Sequence, residues 1–536
     1  MRKWFEKAHG AIIWTIAIAF VAGIVIWSLT SYFYSRKSKV EYSLDDTVAY
    51  LTKDGTALAS DFWIFPWDLE QSYSQALTYY QITEVDPIFE EPMLKTSLLN
   101  DLIDTKTVLY YAEVNNIKPE KTEIDSAIEE QVKKVEENEK LLNYVNQKFG
   151  GIENYKKSIE PDIIRYLTIN KVRKKVAKID ESEMKDYYEE NRDDLIVKYD
   201  TADVDFVSFS NQASANNFIN QALIKGFDQA ATDLGLSVQN YPNFRRGIIA
   251  QEFEDVIFSS TNTLVGPVPL GSNYFVFKVN SFTSVDTFEK FSLSKGYQEV
   301  MSQLQGDRFR AEMEKFKNEE NIGSVINSEI YQVWNDVLTN SGTSLLNVYK
   351  KLNEMIFDFN TDTVKDDIPS EIKAAFVVLV DKISSDASLV NNDILQDAEK
   401  EAKIVLESVY KDYPDSFVAV KKMRESFPDR KDIMYNYYTM LYSKIKPYIE
   451  YGMIQNIMND FIDLYRGFTT LSEATDITLD QKAEVLYNLY EINKMLKDAT
   501  TASRYLEKLK DATPDYMDFD AAFNELEFMK NATSTN

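Results

Sequence analysis

The sequence predicts a mainly α chain with one small α+β domain and an N-terminal transmembrane helix, on three observations. Glycine (16) and proline (13) are scarce among 536 residues, and these are the residues that punctuate sheets and tight turns. Apolar residues recur every three or four positions through most of the chain, while period-two alternation is concentrated in a central stretch. Ala11 to Leu29 is an apolar run of 19 residues without a charge.

Composition bounds the function before any motif does. At roughly 100–200 residues per domain the chain holds about three or four domains. Lys and Arg number 59 against 86 Asp and Glu, a net charge of −27, so the phosphates of a nucleic acid would repel it. There is no cysteine, and the single histidine is His9. Disulfides, thiolate nucleophiles, Cys- or His-based metal sites, Ser-His-Asp triads and histidine proton shuttles are thereby excluded from any folded domain. No cofactor and no metal is expected.

Residues 1–39 read as a membrane anchor. At 1.5 Å per residue, 11–29 reach about 28 Å, close to the apolar thickness of a bilayer. Trp4, Phe5 and Trp14 lie toward one end, and Trp27, Tyr32, Phe33 and Tyr34 toward the other, as interfacial aromatics do. The run ends in bulky residues rather than a small-x-small cleavage site, so it is expected to be retained. Arg2, Lys3 and Lys7 precede it and Arg36, Lys37 and Lys39 follow it, so charge leaves its orientation open.

Val48 to Leu58 contains Asp54-Gly55, a turn signal between β-prone flanks. The aromatic group Phe62, Trp63, Phe65 and Trp67 follows. It is a candidate client-binding surface, with core packing as the other reading. Leu98, Leu99, Leu102 and Ile103 then begin a helix. Ile117-Lys-Pro-Glu breaks it, and Thr122 opens a charged helix ended by Gly150-Gly151. Ile163 to Val176 form another helix, and Asp180 opens one more.

LLNDLIDTK, YYAEVNNIKPEKTEIDSAIEE, FGGIENYKKSI, DIIRYLTINKVRKKVA and IDESEMKDYYEENRDDL follow one another from Leu98 to Leu195. In that order they resemble the N-terminal region of SurA/PpiD/PrsA-type foldases. The resemblance implies a helical arm that cradles unfolded polypeptides, with a parvulin-type prolyl isomerase domain next.

Residues 196–283 fit that expectation in shape. VKYDTADVDFVSF alternates as a strand, two helices run over Ala213–Lys225 and Phe227–Leu234, GIIAQEFEDVIFS is helical and SNYFVFKVNSF closes as a strand. NFRRGIIAQEFEDVIF and GPVPLGSNYFVFKV are similar to the parvulin pattern. Parvulins carry one histidine in the first strand and one in the last; here the resemblance places Phe206 and Phe275 at those positions. It places Ile249 at the pocket methionine and Phe253 at the pocket phenylalanine. The pocket expected from Phe206, Ile249, Phe253 and Phe275 is therefore a packed core or an apolar groove without an imidazole, and no residue is assigned a catalytic role. Residues 284–330 are helical again, and the resemblance folds them back on the arm.

The last third is a helical array. AEVLYNLYEINKMLKDATTASRYLEKLKDATPDY, Ala483 to Tyr516, resembles a tetratricopeptide repeat (TPR), with Tyr490 where a small residue is normal and looser or shifted packing expected there. Asp358, Asn360 and Asp362 begin like a calcium loop but lack its glycine and final ligand. Ser292 and Lys295 have Ser-x-x-Lys spacing with no companion motif.

The expected organisation is thus an anchor over 1–39, a SurA-like arm over 44–195 with 284–330, a degenerate parvulin-like domain over 196–283 and a TPR-like region over 331–536. The expected function is a single-pass, plasma-membrane chaperone, with its N-terminus cytoplasmic and its bulk extracytoplasmic. It would bind unfolded or newly translocated polypeptides. Two alternatives stand beside it. One is an active peptidyl-prolyl cis-trans isomerase with a histidine-free pocket. The other is an adaptor whose TPR-like region docks a membrane or secretion partner.

Overall fold

The computed structural model describes residues 42–246, 251–259, 263–358, 361, 363–389 and 394–533. The expected anchor, 11–29, lies outside them, as do Ile249, Asn360 and Asp362. Among the described residues no helix is long and apolar enough to cross a membrane. The fold is mainly helical with a small sheet-containing domain. By internal contacts it divides into two units, Lys53–Thr56 with Thr105–Gly323, and 42–52 with Ala57–Asp104 and 324–533.

The first unit begins with a helical arm. The stretch expected as one helix from Thr122 to Gly150 is two, Lys121–Glu136 and Glu139–Phe149. The break comes at Asn138, whose side chain accepts the N–H groups of Lys140 and Leu141 and caps the second helix. Gly150, at φ +73°, ends it in the left-handed region. The next helix, Ile152–Val176, starts eleven residues before the expected Ile163 and runs through Pro161. Tyr155, Ile159 and Ile163 continue one buried face across the proline and pack with Ile128, Val132, Val145 and Phe149. Burial of that face outweighs the backbone hydrogen bond that the proline removes.

Helices Glu181–Glu190 and Arg192–Tyr199 join the arm to the sheet domain, and Lys295–Glu319 packs beside them. Met184, Tyr188, Leu195, Tyr199, Phe291 and Val300 share their core. Tyr188 Oη donates to the Val285 carbonyl at 2.7 Å, and the Val285 N–H donates to Asp200 at 2.9 Å. These two bonds fasten both ends of the sheet domain.

The expected turn forms within the first unit's short segment Lys53–Thr56, with Asp54 and Gly55 both at positive φ. Strand Ala49–Lys53 pairs antiparallel with Trp63–Ile64. Strand Ile322–Ile326 lies in a stretch expected to be helical. In the second unit, from Ser370–Ser384 to Phe519–Thr533, each helix packs on its neighbours in sequence. Two cores result. One surrounds Trp334, whose indole N–H donates to the Glu371 carbonyl at 3.0 Å, and takes in Ile88 and Phe89 from far upstream. The other contains Tyr438, Leu464, Phe468, Leu489 and Leu506. Tyr490 belongs to it at 1% exposure, so the packing there is tight rather than loosened.

One close approach in this second core yields a prediction. Gly467, in helix Met458–Ser472, lies so near Tyr438 that a Cβ would stand 2.0 Å from its ring carbons. The ring cannot yield. Its hydroxyl is 3.2 Å from Asp463, Arg424 forks onto Asp463 with two bonds of 2.8 Å, and the guanidinium lies 4.8 Å over the ring. Gly467→Ala should lower the stability of this unit by about 1–3 kcal/mol, despite the ~1 kcal/mol of helix propensity it gains. Thermal melting of the full chain reads this, and an unchanged or raised midpoint would contradict it.

Candidate functional site

The sheet domain is built from β1 (Thr201–Phe209), α1 (Gln212–Lys225), α2 (Phe227–Asp233), β2 (Gln239–Phe244), α3 (Gln251–Ser259), β3 (Leu264–Leu270) and β4 (Asn273–Thr283). The sheet order is β2-β1-β4-β3, antiparallel throughout. Strand alternation sends Val207, Phe209 and Val276 to one face, where they pack with Phe218, Ala222 and Phe227 of α1 and α2. Ala202, Val204 and Phe277 go to the other face, where α3 lays Phe253 and Ile257 over them.

The two strand positions of interest lie on this second face. In the β1–β4 register Phe206 stands opposite Phe277, and Ser208 opposite Phe275. The Phe206 and Phe275 rings are 6.2 Å apart. Phe253 meets Phe275 and Phe277 edge-on, each at 4.9 Å. Phe253 is buried, while Phe206 and Phe275 are half-buried and keep part of each ring open. Three of the four expected pocket residues are thus brought together, and the fourth, Ile249, lies outside the described residues. Phe277 was missed, although β-strand period two from Phe275 points to it.

Gly266 is required at the rim. Its φ is +126°, and a Cβ there would stand 2.7 Å from the Phe275 carbonyl oxygen. Only glycine lets β3 approach β4 where their register shifts between Val265 and Val268. At the loop end of β2 the Arg246 guanidinium lies 4.4 Å over Phe258, and its buried Nε has no hydrogen-bond partner among the described residues.

The opposite face of the sheet carries charge as well. Lys278 reaches Asp228 at 2.9 Å and Asp205 at 3.8 Å. Burial raises the Asp205 carboxyl, but bonds from Asn240 (2.7 Å) and Asn280 (2.8 Å) outweigh that and hold it below the usual carboxylate value. The phenylalanine cluster itself contains no titratable group. Chemically its four phenylalanines offer ring faces and edges to an apolar partner.

The aromatic group near the N-terminus belongs to the other unit and divides in two. Phe62 is buried, at 5% exposure. Trp63, Phe65 and Trp67 are half-buried; Phe65 and Trp67 stack, Tyr42 meets both at a tilt, and Trp63 meets Phe65 edge-on. Pro66 opens the following helix, Pro66–Tyr79, and Asp68 accepts the Phe65 N–H at 2.9 Å, which holds the stack at a helix start. Among the described residues, no group of three or more metal-ligating side chains gathers.

Residues 179–292 match the PPIC-type PPIASE domain. No curated protein matches the chain. Among solved structures, a SurA-like chaperone of Campylobacter jejuni (the PEB4 and Cj1289 study) aligns at 16% identity and TM-score 0.25, over 52% of this chain and 99% of its own. The peptidylprolyl isomerase PrsA of Bacillus cereus aligns at 16% identity and TM-score 0.23, over 58% and 99%. The foldase protein PrsA of Lactococcus lactis aligns at 11% identity and TM-score 0.24, over 54% and 99%.

Proposed function

We propose that this chain, which carries a PPIC-type domain over residues 179–292, is a chaperone that holds unfolded or newly translocated polypeptides. Its PPIC-type domain then serves as an apolar binding face rather than a catalyst. In the same reading residues 11–29 anchor it in the plasma membrane, with residues 40–536 outside the cytoplasm. The observation that carries the binding role is the pair Phe206 and Phe275. They occupy the strand positions where the resemblance expects histidines, and they join Phe253 in an apolar cluster with part of two rings open. Partly exposed rings gain about 25 cal/mol per Å² on contact with an apolar segment. Nothing in the cluster polarises or protonates a peptide group on the way over a barrier of about 18–20 kcal/mol. The chain's only histidine, His9, precedes the domain.

A second reading is favoured by the domain match itself: an active peptidyl-prolyl isomerase working through a histidine-free pocket. Proline-limited refolding of a client, followed with the full chain in lipid nanodiscs, separates the two. Uncatalysed isomerisation takes roughly 10–100 s at 25 °C. The chaperone reading expects a higher refolding yield with an unchanged or slower slow phase. Acceleration of that phase at substoichiometric chain would establish the isomerase, and no effect on rate or yield would remove both.

A further inference from the structure

We propose that the aromatic stack of Tyr42, Trp63, Phe65 and Trp67 is a membrane-contact surface, seated in the head-group layer of the bilayer that holds residues 11–29. The inference rests on the anchoring proposed above and adds a second point of contact to it.

The stack is preformed. The Phe65 and Trp67 rings lie 4.4 Å apart and 9° from parallel, Tyr42 meets them at 5.1 Å and 5.3 Å, and Trp63 lies 6.3 Å from Phe65. Tyr42 is 40% exposed and the other three are half-buried. The Trp63 indole N–H is already taken by the Leu58 carbonyl at 2.8 Å, so that ring can leave water without orphaning its donor. Rigid indole and phenol rings, apolar in body and polar at one edge, are the side chains that concentrate at membrane–water boundaries.

Chain length argues for lipid as the occupant. Tyr42 is a member of the stack and lies thirteen residues after Leu29, the end of the apolar run. Those residues span at most about 47 Å even when fully extended, so the stack is the described surface tethered most closely to the bilayer boundary. Charge fixes the kind of lipid contact. Asp45, Asp46, Asp61 and Asp68 lie close by in sequence, against Arg36, Lys37 and Lys39 in the connecting chain. Attraction to anionic lipid is therefore largely cancelled, and contact depends on aromatic partition into a zwitterionic interface.

The tryptophans make the test direct. There are six: Trp4, Trp14, Trp27, Trp63, Trp67 and Trp334. Trp334 is fully buried. The full chain carrying W4F, W14F and W27F is reconstituted into phosphatidylcholine vesicles whose acyl chains are brominated near the head group. The chain must first float with the vesicles. Emission should then fall roughly twofold relative to unbrominated vesicles, and adding W63F and W67F, which leaves Trp334 alone, should abolish the fall. A chain that floats but is not quenched would overturn the membrane contact while the anchor stands. A chain that fails to float would overturn both. Unquenched emission together with loss of client holding in W63A/W67A would assign the stack to polypeptide instead, and overturn the proposal in that way.

Discussion

Phe253→Ala should destabilise the PPIC-type domain by about 3–5 kcal/mol, a large part of the roughly 5–15 kcal/mol that holds a typical domain together. Phe253 is 5% exposed and is the side chain through which α3 closes on Phe275 and Phe277. Truncating it opens a cavity beneath the helix and leaves Phe275 and Phe277 without their common neighbour. Phe206→Ser and Phe275→Ser should behave differently. Both rings are half-buried, so each substitution should cost only about 1–2 kcal/mol, while the open face that a client would touch disappears. The double variant is expected to stay folded, about 2–4 kcal/mol less stable than the parent, and yet suppress client aggregation roughly tenfold less well, equivalent to ~1.4 kcal/mol of binding. Urea unfolding and a client-aggregation assay on the same samples separate the two effects. If holding survives in the double variant, client binding resides elsewhere and the reading of this face fails.

Phe206 and Phe275 were placed in one pocket by the resemblance, since period two assigns each residue to a face of its own strand without saying which strands pair. The caps were legible from local rules: Asp180 and Gly150 act within one turn of themselves. Contacts made across hundreds of residues were not. Ile88 and Phe89 enter a core otherwise made of residues after 330, and nothing in their own neighbourhood announces it. That core also means that removing 331–536 would expose Ile88 and Phe89, so truncation is a poor test of an adaptor role for the C-terminal helices. Gly467 against Tyr438 is another case: its spacing looks like any glycine in a helix, and only the neighbouring helix makes it indispensable.

Pro161 shows how a local rule can mislead. Proline usually ends a helix, and starting the helix at Ile163 hid the residue beside it. Asp162 lies inside Ile152–Val176 at 2% exposure, and its Oδ2 has no hydrogen-bond partner among the described residues. Burial raises its carboxyl to about 6, although Arg165, 3.5 Å away, pulls in the other direction. An unfolded aspartate titrates near 3.9. The folded arm therefore binds this proton more tightly than the unfolded chain does. The stabilisation is fully present below about pH 4 and is lost as pH rises through 6. The two-unit difference is worth ~3 kcal/mol, large enough to stand out from the chain's many other carboxylates when one variant is compared with its parent. Asp162→Asn keeps the shape and removes the charge. It should be close to neutral near pH 4 and should stabilise the arm by ~3 kcal/mol at pH 8, so the stability difference between variant and parent widens across pH 4–6. Denaturant unfolding of both chains at a series of pH values measures that difference. A gap that stays constant with pH would mean Asp162 is ionised throughout, with Arg165 fully compensating its burial.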